Sequence, residues 1–331
     1  MKRTRPPWRI PAAALLCLAA SALPAHAREA QQPPQQQQPI RFVVPYATGG
    51  LPDTVIRRIS NDLAERLGQA VVVDNKPGAG GVIGAQNLLS SPVDGNTYLF
   101  SDSAFMSITP LTIKDIPYDP ARDFVPVSLV ARAPNFLAVH ADVPARSAQE
   151  FVALAKSRPN QINCGSSGIG TLHHLTLESM KRTLEIEVVH VPFKGSGQSV
   201  PALAGGQTQC ALAALPSIIG FAKNGRIRIL AVAGGKASPL APEVPPLYPG
   251  KEGQDFAFLL GVVAKKGTPA ESIERLSAAL AEVVKRPAIV ESLQALGVDP
   301  IGGSPQAYGT ALAQDAQQMA TAAKLAGIGM Q

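Results

Sequence analysis

Apolar residues follow two different spacings on either side of Asp53. Before it, the run Phe42–Val44 is typical of a buried strand in a parallel sheet. After it, apolar residues recur at the spacing of a helix, at Val55, Ile56, Ile59, Leu63 and Leu67. A Gly49-Gly50 turn joins the two elements, and uncovered backbone amides at the positive end of a helix suit a carboxylate or phosphate. The glycines could equally serve only to reverse the chain.

Apolar runs recur along the chain, with helical spacing between most of them. They predict strands at Arg41–Pro45, Ala70–Asp74, Thr97–Ser101, Val127–Ala131, Phe136–Val139, Ile162–Gly165, Val188–Pro192, Cys210–Leu215, Arg228–Ala233 and Gly261–Ala264. Alternating strands and helices predict an α/β fold with parallel sheets. From residue 270 the pattern is helical, over 270–285, 288–296 and 305–326, with no strand following. We expect these helices to pack on the first sheet, which would make the first domain discontinuous.

The N-terminal region has the order of a secretory signal peptide over residues 1–27. Basic residues precede a mostly apolar run, Ala12–Leu23, and Ala25-His26-Ala27 supplies a cleavage site. Residues 28–39, rich in glutamine and proline, are predicted to be a disordered tether. No later run reaches the roughly 18 apolar residues of a membrane helix. We therefore expect export to the periplasm.

Removing the leader changes the charge of the chain. The formal net charge is +6, and the loss of Lys2, Arg3, Arg5 and Arg9 would leave +2. A near-neutral chain without a clustered basic face argues against a nucleic-acid partner. Cys164 and Cys210 then remain, each on a predicted strand. They are either a disulfide, which export permits, or two buried thiols.

A second glycine-rich turn lies in the middle third of the chain. The strand ending near Cys164 leads into Gly165–Thr171, and helical spacing follows it. In open α/β sheets, ligands bind beyond the carboxyl ends of the strands. Two such turns, one per domain, could face each other and hold one small anion. Ser101-Asp102-Ser103, after another strand, would line the same rim, and we predict Ser101 and Ser103 as binding residues.

Many motifs of this chain occur in one order in a known family. They are Val44-Pro45-Tyr46, Gly49-Gly50, Asp53, Val73–Gly81, Asp94–Tyr98, Tyr118-Asp119-Pro120, Asp123-Phe124, Gly165–Gly168, Gly170-Thr171, His174-Leu175, His190–Gly195 and Gly267-Thr268-Pro269. The chain resembles the periplasmic receptors of tripartite tricarboxylate transporters, the Bug receptors. The resemblance covers essentially the whole chain after the leader.

The resemblance implies a two-lobed periplasmic binding protein of type II. Each lobe would be a mainly parallel sheet flanked by helices, with the ligand cleft between the lobes. Lobe 1 would comprise 40–131 plus 258–331, and lobe 2 would comprise 132–257, with hinges near Val127–Phe136 and Phe256–Val263. A small carboxylate would be held by backbone amides and bridging waters. The matching positions are Tyr46, Ala47, Thr48, Gly49, Gly50, Asp53, Ser166, Ser167, Gly170, Thr171, His174, Phe193, Lys194, Pro216 and Ser217.

The resemblance also implies membrane permease subunits as partners. We expect a monomer that works with membrane permease subunits, without a cofactor or a metal. This chain departs from the family around Thr48, Leu51 and Pro52, and it lacks a family tryptophan near Phe258. We expect its own ligand selectivity at these positions.

Several of these residues also have a structural interpretation. His174 could cap or pack within its helix turn, Asp53 could complement the helix dipole, and Lys194 could be solvated. We expect His173 at the surface. A solute-sensing adaptor for a membrane signalling protein would use the same binding chemistry, so this alternative stays open.

A nucleotide-binding enzyme is the remaining alternative. Gly78–Gly84 reads G-x-G-x-x-x-G, a loose relative of the dinucleotide fingerprint, but Asn75-Lys76-Pro77 separates it from the strand. The chain lacks the G-x-S-x-G motif of hydrolases and the H-E-x-x-H motif of zinc proteases. Adjacent His173 and His174 diverge on a helix and cannot share one metal face. We therefore predict a binding protein rather than an enzyme.

Overall fold

The computed structural model describes residues 38–251, 255–325 and 327–329. The predicted signal peptide lies outside the described residues, as does the tether up to residue 37. Gln38 and Pro39 are exposed and lead directly into the first strand at Ile40. Within these described ranges, no helix combines the length and the apolar character needed to cross a membrane.

Ten strands form one mixed sheet in the described part of the chain. They are β1 (Ile40–Val44), β2 (Val71–Asn75), β3 (Thr97–Ser101), β4 (Phe124–His140), β5 (Asn163–Ser166), β6 (Val189–Pro192), β7 (Cys210–Ala214), β8 (Ile227–Val232), β9 (Ala257–Lys265) and β10 (Asp299–Pro300). The strand order is β2-β1-β3-β9-β4-β7-β5-β6, and both β8 and β10 pair with β4.

Helices lie between most of these strands. They are α1 (Leu51–Leu67), α2 (Val82–Ser90), α3 (Ala104–Ser107), α4 (Thr109–Thr112), α5 (Pro120–Asp123), α6 (Ala148–Ser157), α7 (Leu172–Leu184), α8 (Ser196–Ala204), α9 (Leu215–Lys223), α10 (Ala270–Val283), α11 (Pro287–Ala295) and α12 (Pro305–Leu325). A short 3₁₀ turn at Ala79–Gly81 precedes α2.

The direction of the strands divides the sheet into two regions. Parallel pairing, as predicted, joins β1 to β2 and β3 in one region and β5 to β6 and β7 in the other. The strands β4 and β9 pair antiparallel with their neighbours, so the sheet is mixed. The α/β prediction is confirmed, while the pattern of apolar runs did not reveal the antiparallel strands.

One long strand links the two regions. The sequence predicted separate strands at Val127–Ala131 and Phe136–Val139, but β4 continues from Phe124 to His140. The backbone stays extended because β9 pairs with β4 as far as Pro134, and β7 takes over at Asn135. The prediction of two strands was therefore wrong.

The C-terminal helices cover the first region and reach the second. Phe42 and Ile59 share a core with Leu280 of α10, which confirms that this helix packs on the first sheet. One short strand, β10, which the sequence did not predict, intervenes before α12 and pairs with Ala131 and Arg132. Along α12, Tyr308 packs beside β3, whereas Met319 packs in the core around α7.

The two cysteines of the second region are register partners. Cys164 on β5 lies opposite Cys210 on β7, with the Cα atoms 4.5 Å apart. Both side chains are fully buried, and a disulfide joins them. Of the two alternatives that the sequence left open, the structure contains the disulfide.

Candidate functional site

A cleft of about 490 Å³ lies at the carboxyl ends of β1, β3 and β5. Its walls are formed by Tyr46, Gly80, Asp102, Ala104, Ile108, Thr109, Thr112, Ile113, Ser167, Ile169, Gly170, Thr171, Leu172, Phe258, Ile328 and Gly329. The position is the one that open α/β sheets use for ligands. Tyr46, Asp102 and the segment around α4 form one wall, and the turn that starts α7 forms the opposite wall.

The backbone amides of the Gly49-Gly50 turn are hydrogen-bonded to neighbouring residues of the same segment. Gly49 has φ +85°, and its amide donates to Asp53 Oδ2 over 2.8 Å. The amide of Gly50 donates to the carbonyl of Ala47 over 3.1 Å. The prediction that these two amides are uncovered was wrong, because the Asp53 carboxylate folds back onto the turn that precedes its helix.

Asp53 is the centre of this arrangement. Its side chain is buried, and Oδ1 accepts hydrogen bonds from Arg57 Nε and from Asn75 Nδ2, each over 2.8 Å. Burial raises the pKa of Asp53, but the bonds from Gly49, Asn75 and Arg57 together hold it below its ordinary value. The carboxylate therefore remains ionised and ties the turn to the end of β2.

The rim after β3 presents Asp102 to the cleft. Its Oδ1 accepts from the hydroxyl of Tyr46 over 2.7 Å and from the amide of Ala104 over 3.0 Å. Burial raises the pKa of Asp102 to about 6, with a further rise from Asp315, against the lowering effect of its hydrogen bonds. The predicted residues Ser101 and Ser103 are both buried and do not line the cleft.

Hydroxyl groups organise the second turn. The hydroxyl of Ser167 lies 3.0 Å from Thr171 Oγ1 and 2.6 Å from Nδ1 of His173. Thr171 is the N-cap of α7, since its Oγ1 accepts from the amide of His174 and donates to the carbonyl of Gly168. The turn thus brings the predicted residues Ser167 and Thr171 to the cleft in a fixed geometry.

Gly170 lies close to the opposite wall of the cleft. Its φ is +72°, and a Cβ atom placed there would lie 3.1 Å from Cγ2 of Thr112. Its amide donates to Nδ1 of His174 over 3.1 Å. Both the backbone conformation and the nearby α4 favour glycine at this position.

The histidines lie beneath the second turn. His173, expected at the surface, is buried, and its ring meets the edge of Phe258 with the centroids 5.5 Å apart. That expectation was wrong because α7 is covered on this face by β9. The ring of His174 stacks on His190 at 4.0 Å, and Nε2 of His190 lies 2.6 Å from the hydroxyl of Ser166.

The burial of His173 predicts a pH effect on stability. Burial lowers the pKa of His173 from 6.5 to about 4. Between these two values the unfolded chain binds a proton that the folded chain does not, so this residue destabilises the fold as the pH falls, by up to about 1.4 kcal/mol per pH unit. His173→Asn should remove this slope, as measured by urea unfolding of both proteins across the range.

The contribution of His173 is isolated by subtracting the free energy of unfolding of the variant from that of the wild type at each pH. The raised pKa of Asp102 acts in the opposite direction over part of the same range in both proteins. At pH values above the ordinary pKa of histidine, the variant should differ from the wild type only by a constant loss of packing on Phe258. A difference in the free energy of unfolding that stays constant down to about pH 4 would contradict the prediction.

The remaining predicted residues lie outside the cleft walls. Ala47, Thr48, Lys194 and Pro216 are exposed, and Ser217 is half-buried. Phe193 donates its amide to the carbonyl of Ser166, and Pro216 packs against Gly297. Of the predicted set, the structure brings together Tyr46, Ser167, Gly170 and Thr171. Ligand contact by the others, including Gly49, Gly50, Asp53, Ser101, Ser103, Ser166 and His174, stays a prediction.

Comparison with known proteins identifies the family. The model described as "Tripartite tricarboxylate transporter family receptor" matches residues 55–325. The chain belongs to this receptor family. It is 35% identical over 297 residues to a UPF0065 protein of Cupriavidus necator, covering 90% of this chain and 89% of that protein.

Solved structures resemble this receptor over most of its length. R. palustris Rpa4515 with adipate is 32% identical, with a TM-score of 0.77, and the match covers 90% of this chain and 100% of that protein. The periplasmic binding protein BugD is 28% identical, with a TM-score of 0.72 over 89% of this chain and 99% of its own. MatC (Rpa3494) from Rhodopseudomonas palustris with bound malate is 25% identical, with a TM-score of 0.71 over 86% and 99%. The resemblance to Bug receptors and the periplasmic-binding-protein fold are confirmed.

The receptor's cleft also contains residues that the sequence did not predict. Thr109 donates its hydroxyl to the carbonyl of Gly80 over 2.7 Å, which joins α4 to the glycine-rich turn before α2. Ile328, after α12, donates its amide to Ala323 and reaches the cleft from the C-terminal end. For Phe258 the sequence carried one signal, the absence of the family tryptophan nearby, where we expected ligand selectivity. Phe258 itself lines the cleft.

The charges of the receptor's cleft are unequal. Among the described lining residues, Asp102 is the one carboxyl group, and no lysine, arginine or histidine is present. No cluster of three possible metal ligands occurs within residues 38–251, 255–325 and 327–329. A ligand in this cleft would therefore meet neutral hydroxyl and amide groups on one wall and a carboxyl group on the other.

Proposed function

We propose that this receptor captures a small carboxylate in the cleft between Tyr46–Asp102 and Ser167–Thr171. The observation that carries the proposal is the position of this cleft at the carboxyl ends of β1, β3 and β5. Two solved structures that resemble this chain are Rpa4515 with adipate and MatC with bound malate, both small carboxylates. The start of α7 provides a positive helix end on one wall, which suits the ligand's carboxylate.

Binding would proceed by closure of two lobes, without chemistry. Lobe 1 would be 40–131 plus 258–331, and lobe 2 would be 132–257. The change of partner along β4 at Pro134 and Asn135 falls within the predicted hinge Val127–Phe136, which supports this division. The backbone groups and hydroxyls of the walls, with bridging waters, would replace the ligand's water shell.

The cellular setting forms part of the same proposal. The N-terminal pattern of residues 1–27 supports export through a cleavable signal peptide to the periplasm. The family description supports delivery to membrane permease subunits, and BugD is itself a periplasmic binding protein. We propose that the receptor acts there as a monomer, as a binding protein and not as an enzyme.

A ligand screen tests the proposed function. Native mass spectrometry of the purified protein would reveal a co-purified solute, and a thermal-shift screen would cover mono- and dicarboxylates, aromatic acids, amino acids, sugars and nucleotides. At a ligand concentration of about 100 times Kd, binding adds about 2.7 kcal/mol to stability, a shift of several degrees. Stabilisation by a sugar or nucleotide, with no response to any carboxylate, would contradict the proposal.

A glycine substitution ties binding to this cleft. Gly170→Val should reduce affinity for the best carboxylate by at least about tenfold, because the new side chain meets Thr112 across the cleft. Gly225→Val is the matched control, since Gly225 also has a positive φ but has no atom within 4 Å of its Cβ position. Equal affinities for the two variants in isothermal titration calorimetry would remove the second turn from the site.

A further inference from the structure

Asp102 has one oxygen bound by the protein and one that is not. The hydroxyl of Tyr46 and the amide of Ala104 both donate to Oδ1. Within the described part of the chain, no donor is bonded to Oδ2. Asp102 as a residue is 6% exposed, and the cleft is the space that it lines. Oδ2 is therefore an acceptor available to a molecule in the cleft.

A second buried carboxyl group lies behind this wall. Asp315 on α12 is buried, and its Oδ2 has no hydrogen-bond partner among the described residues. The hydroxyl of Tyr308, about two turns earlier on the same face of α12, is likewise buried and unpartnered in the described structure. Burial raises the pKa of Asp315, and the charge of its carboxylate in turn raises the pKa of Asp102. Among the described residues, no cationic side chain acts on Asp102 against this effect.

The cleft therefore has opposite polarity at its two walls. The start of α7 at Thr171 favours a negative group. The Asp102 wall favours a positive group, because two carboxyl groups are buried together there and the described part of the chain places no cationic side chain beside Asp102. A ligand with a carboxylate at both ends would place one of them against Asp102, where like charges repel.

We propose that Asp102 makes this receptor select carboxylates whose far end carries a cationic hydrogen-bond donor, such as a primary ammonium group. The ammonium would donate to the free Oδ2, while the ligand's carboxylate lies at the start of α7. This inference rests on the proposed function, because it names the class of carboxylate that the same cleft binds. Asp102 is thus a specificity-determining residue that contacts the ligand.

Two ligand series of matched length test the proposal by isothermal titration calorimetry at neutral pH. One is the dicarboxylates succinate, glutarate and adipate, and the other is the ω-amino acids 3-aminopropanoate, 4-aminobutanoate and 5-aminopentanoate. The wild type should bind the best amino acid at least about tenfold more tightly than the dicarboxylate of similar length. Asp102→Asn should remove this preference, while Asp142→Asn, at an exposed aspartate outside the cleft, should keep it.

Asp315→Asn gives a second readout that does not alter the cleft wall. It should reduce the preference by about threefold, because it removes the carboxylate of Asp315, which lies behind the Asp102 that contacts the ammonium. If circular dichroism shows that Asp102→Asn does not fold, the ligand preference of Asp315→Asn tests the proposal in its place. An unchanged preference in Asp315→Asn would then overturn the proposal.

The remaining outcomes separate this inference from the proposed function. Tighter binding of dicarboxylates by the wild type would overturn the inference and leave the carboxylate receptor intact. Dicarboxylate binding that strengthens at mildly acidic pH would do the same, since it would indicate a protonated Asp102 that donates to the ligand. If no carboxylate of either series or of the wider screen binds, the proposed function fails, and this inference fails with it.

Discussion

Replacing both Cys164 and Cys210 with alanine is expected to lower the free energy of unfolding by about 4 kcal/mol. The disulfide closes a segment with a sequence separation of 46, and the closed loop restricts the unfolded chain. Both side chains are fully buried on neighbouring parallel strands, so their loss also removes packing. Urea unfolding of the double variant and of the wild type, each under oxidising conditions and with its own fitted slope, would measure the difference in the free energy of unfolding extrapolated to water.

Reduction supplies the control for this experiment. Wild-type protein unfolded in the presence of a thiol reductant should show most of the same loss, whereas the double variant should be insensitive to the reductant. Peptide mapping by mass spectrometry should recover the Cys164 and Cys210 peptides as one linked species. Two separately alkylated peptides from protein that was never reduced would contradict the prediction.

The sequence predicted most strands but could not decide whether the two cysteines pair. Apolar runs such as Phe42–Val44 mark a buried strand whatever its neighbours are, so most strands were predicted near their observed bounds. The pairing of Cys164 with Cys210 depends on the register between β5 and β7, which no local pattern determines. The continuity of β4 through Pro134 likewise depends on β9, a strand more than a hundred residues later in the chain.

Some residues of the candidate site could be predicted from local sequence, and others depend on the tertiary fold. The second turn was predicted because hydroxyl and glycine residues before a helix carry a local signal, and Ser167 and Thr171 do line the cleft. At the rim after β3, the predicted serines are buried and Asp102 faces the cleft, since neighbouring residues at a strand end point to opposite sides. Phe258 and Ile328 reach the cleft from distant parts of the chain, so only the tertiary fold reveals them.

Asp53→Ala is expected to destabilise the fold by about 3 kcal/mol and to weaken ligand binding strongly. The buried carboxylate accepts from Gly49, Arg57 and Asn75, and its removal leaves these donors without their acceptor. Because Asn75 also donates to the carbonyl of Tyr46, the disturbance should reach the cleft wall. Urea unfolding measures the first effect, and calorimetric titration with the best carboxylate measures the second.

The pH dependence identifies the ionised carboxylate as the cause. The pKa of Asp53 is lower in the folded chain than its ordinary value of 3.8, so the unfolded chain binds the proton first. Its contribution is therefore complete at neutral pH and is lost as the pH falls through the folded pKa. The gap in stability between wild type and Asp53→Ala should accordingly narrow in acid.

Asp62→Ala is the matched control on the same helix. Asp62 pairs with Arg286 at the surface, where an ion pair contributes about 1 kcal/mol or less. This variant should keep ligand affinity within about twofold of the wild type. If Asp53→Ala were no less stable than Asp62→Ala and bound carboxylates as tightly, the carboxylate would have no part in holding the Gly49-Gly50 turn. The intended comparison thus separates a buried acceptor that shapes the cleft from an exposed charge that does not.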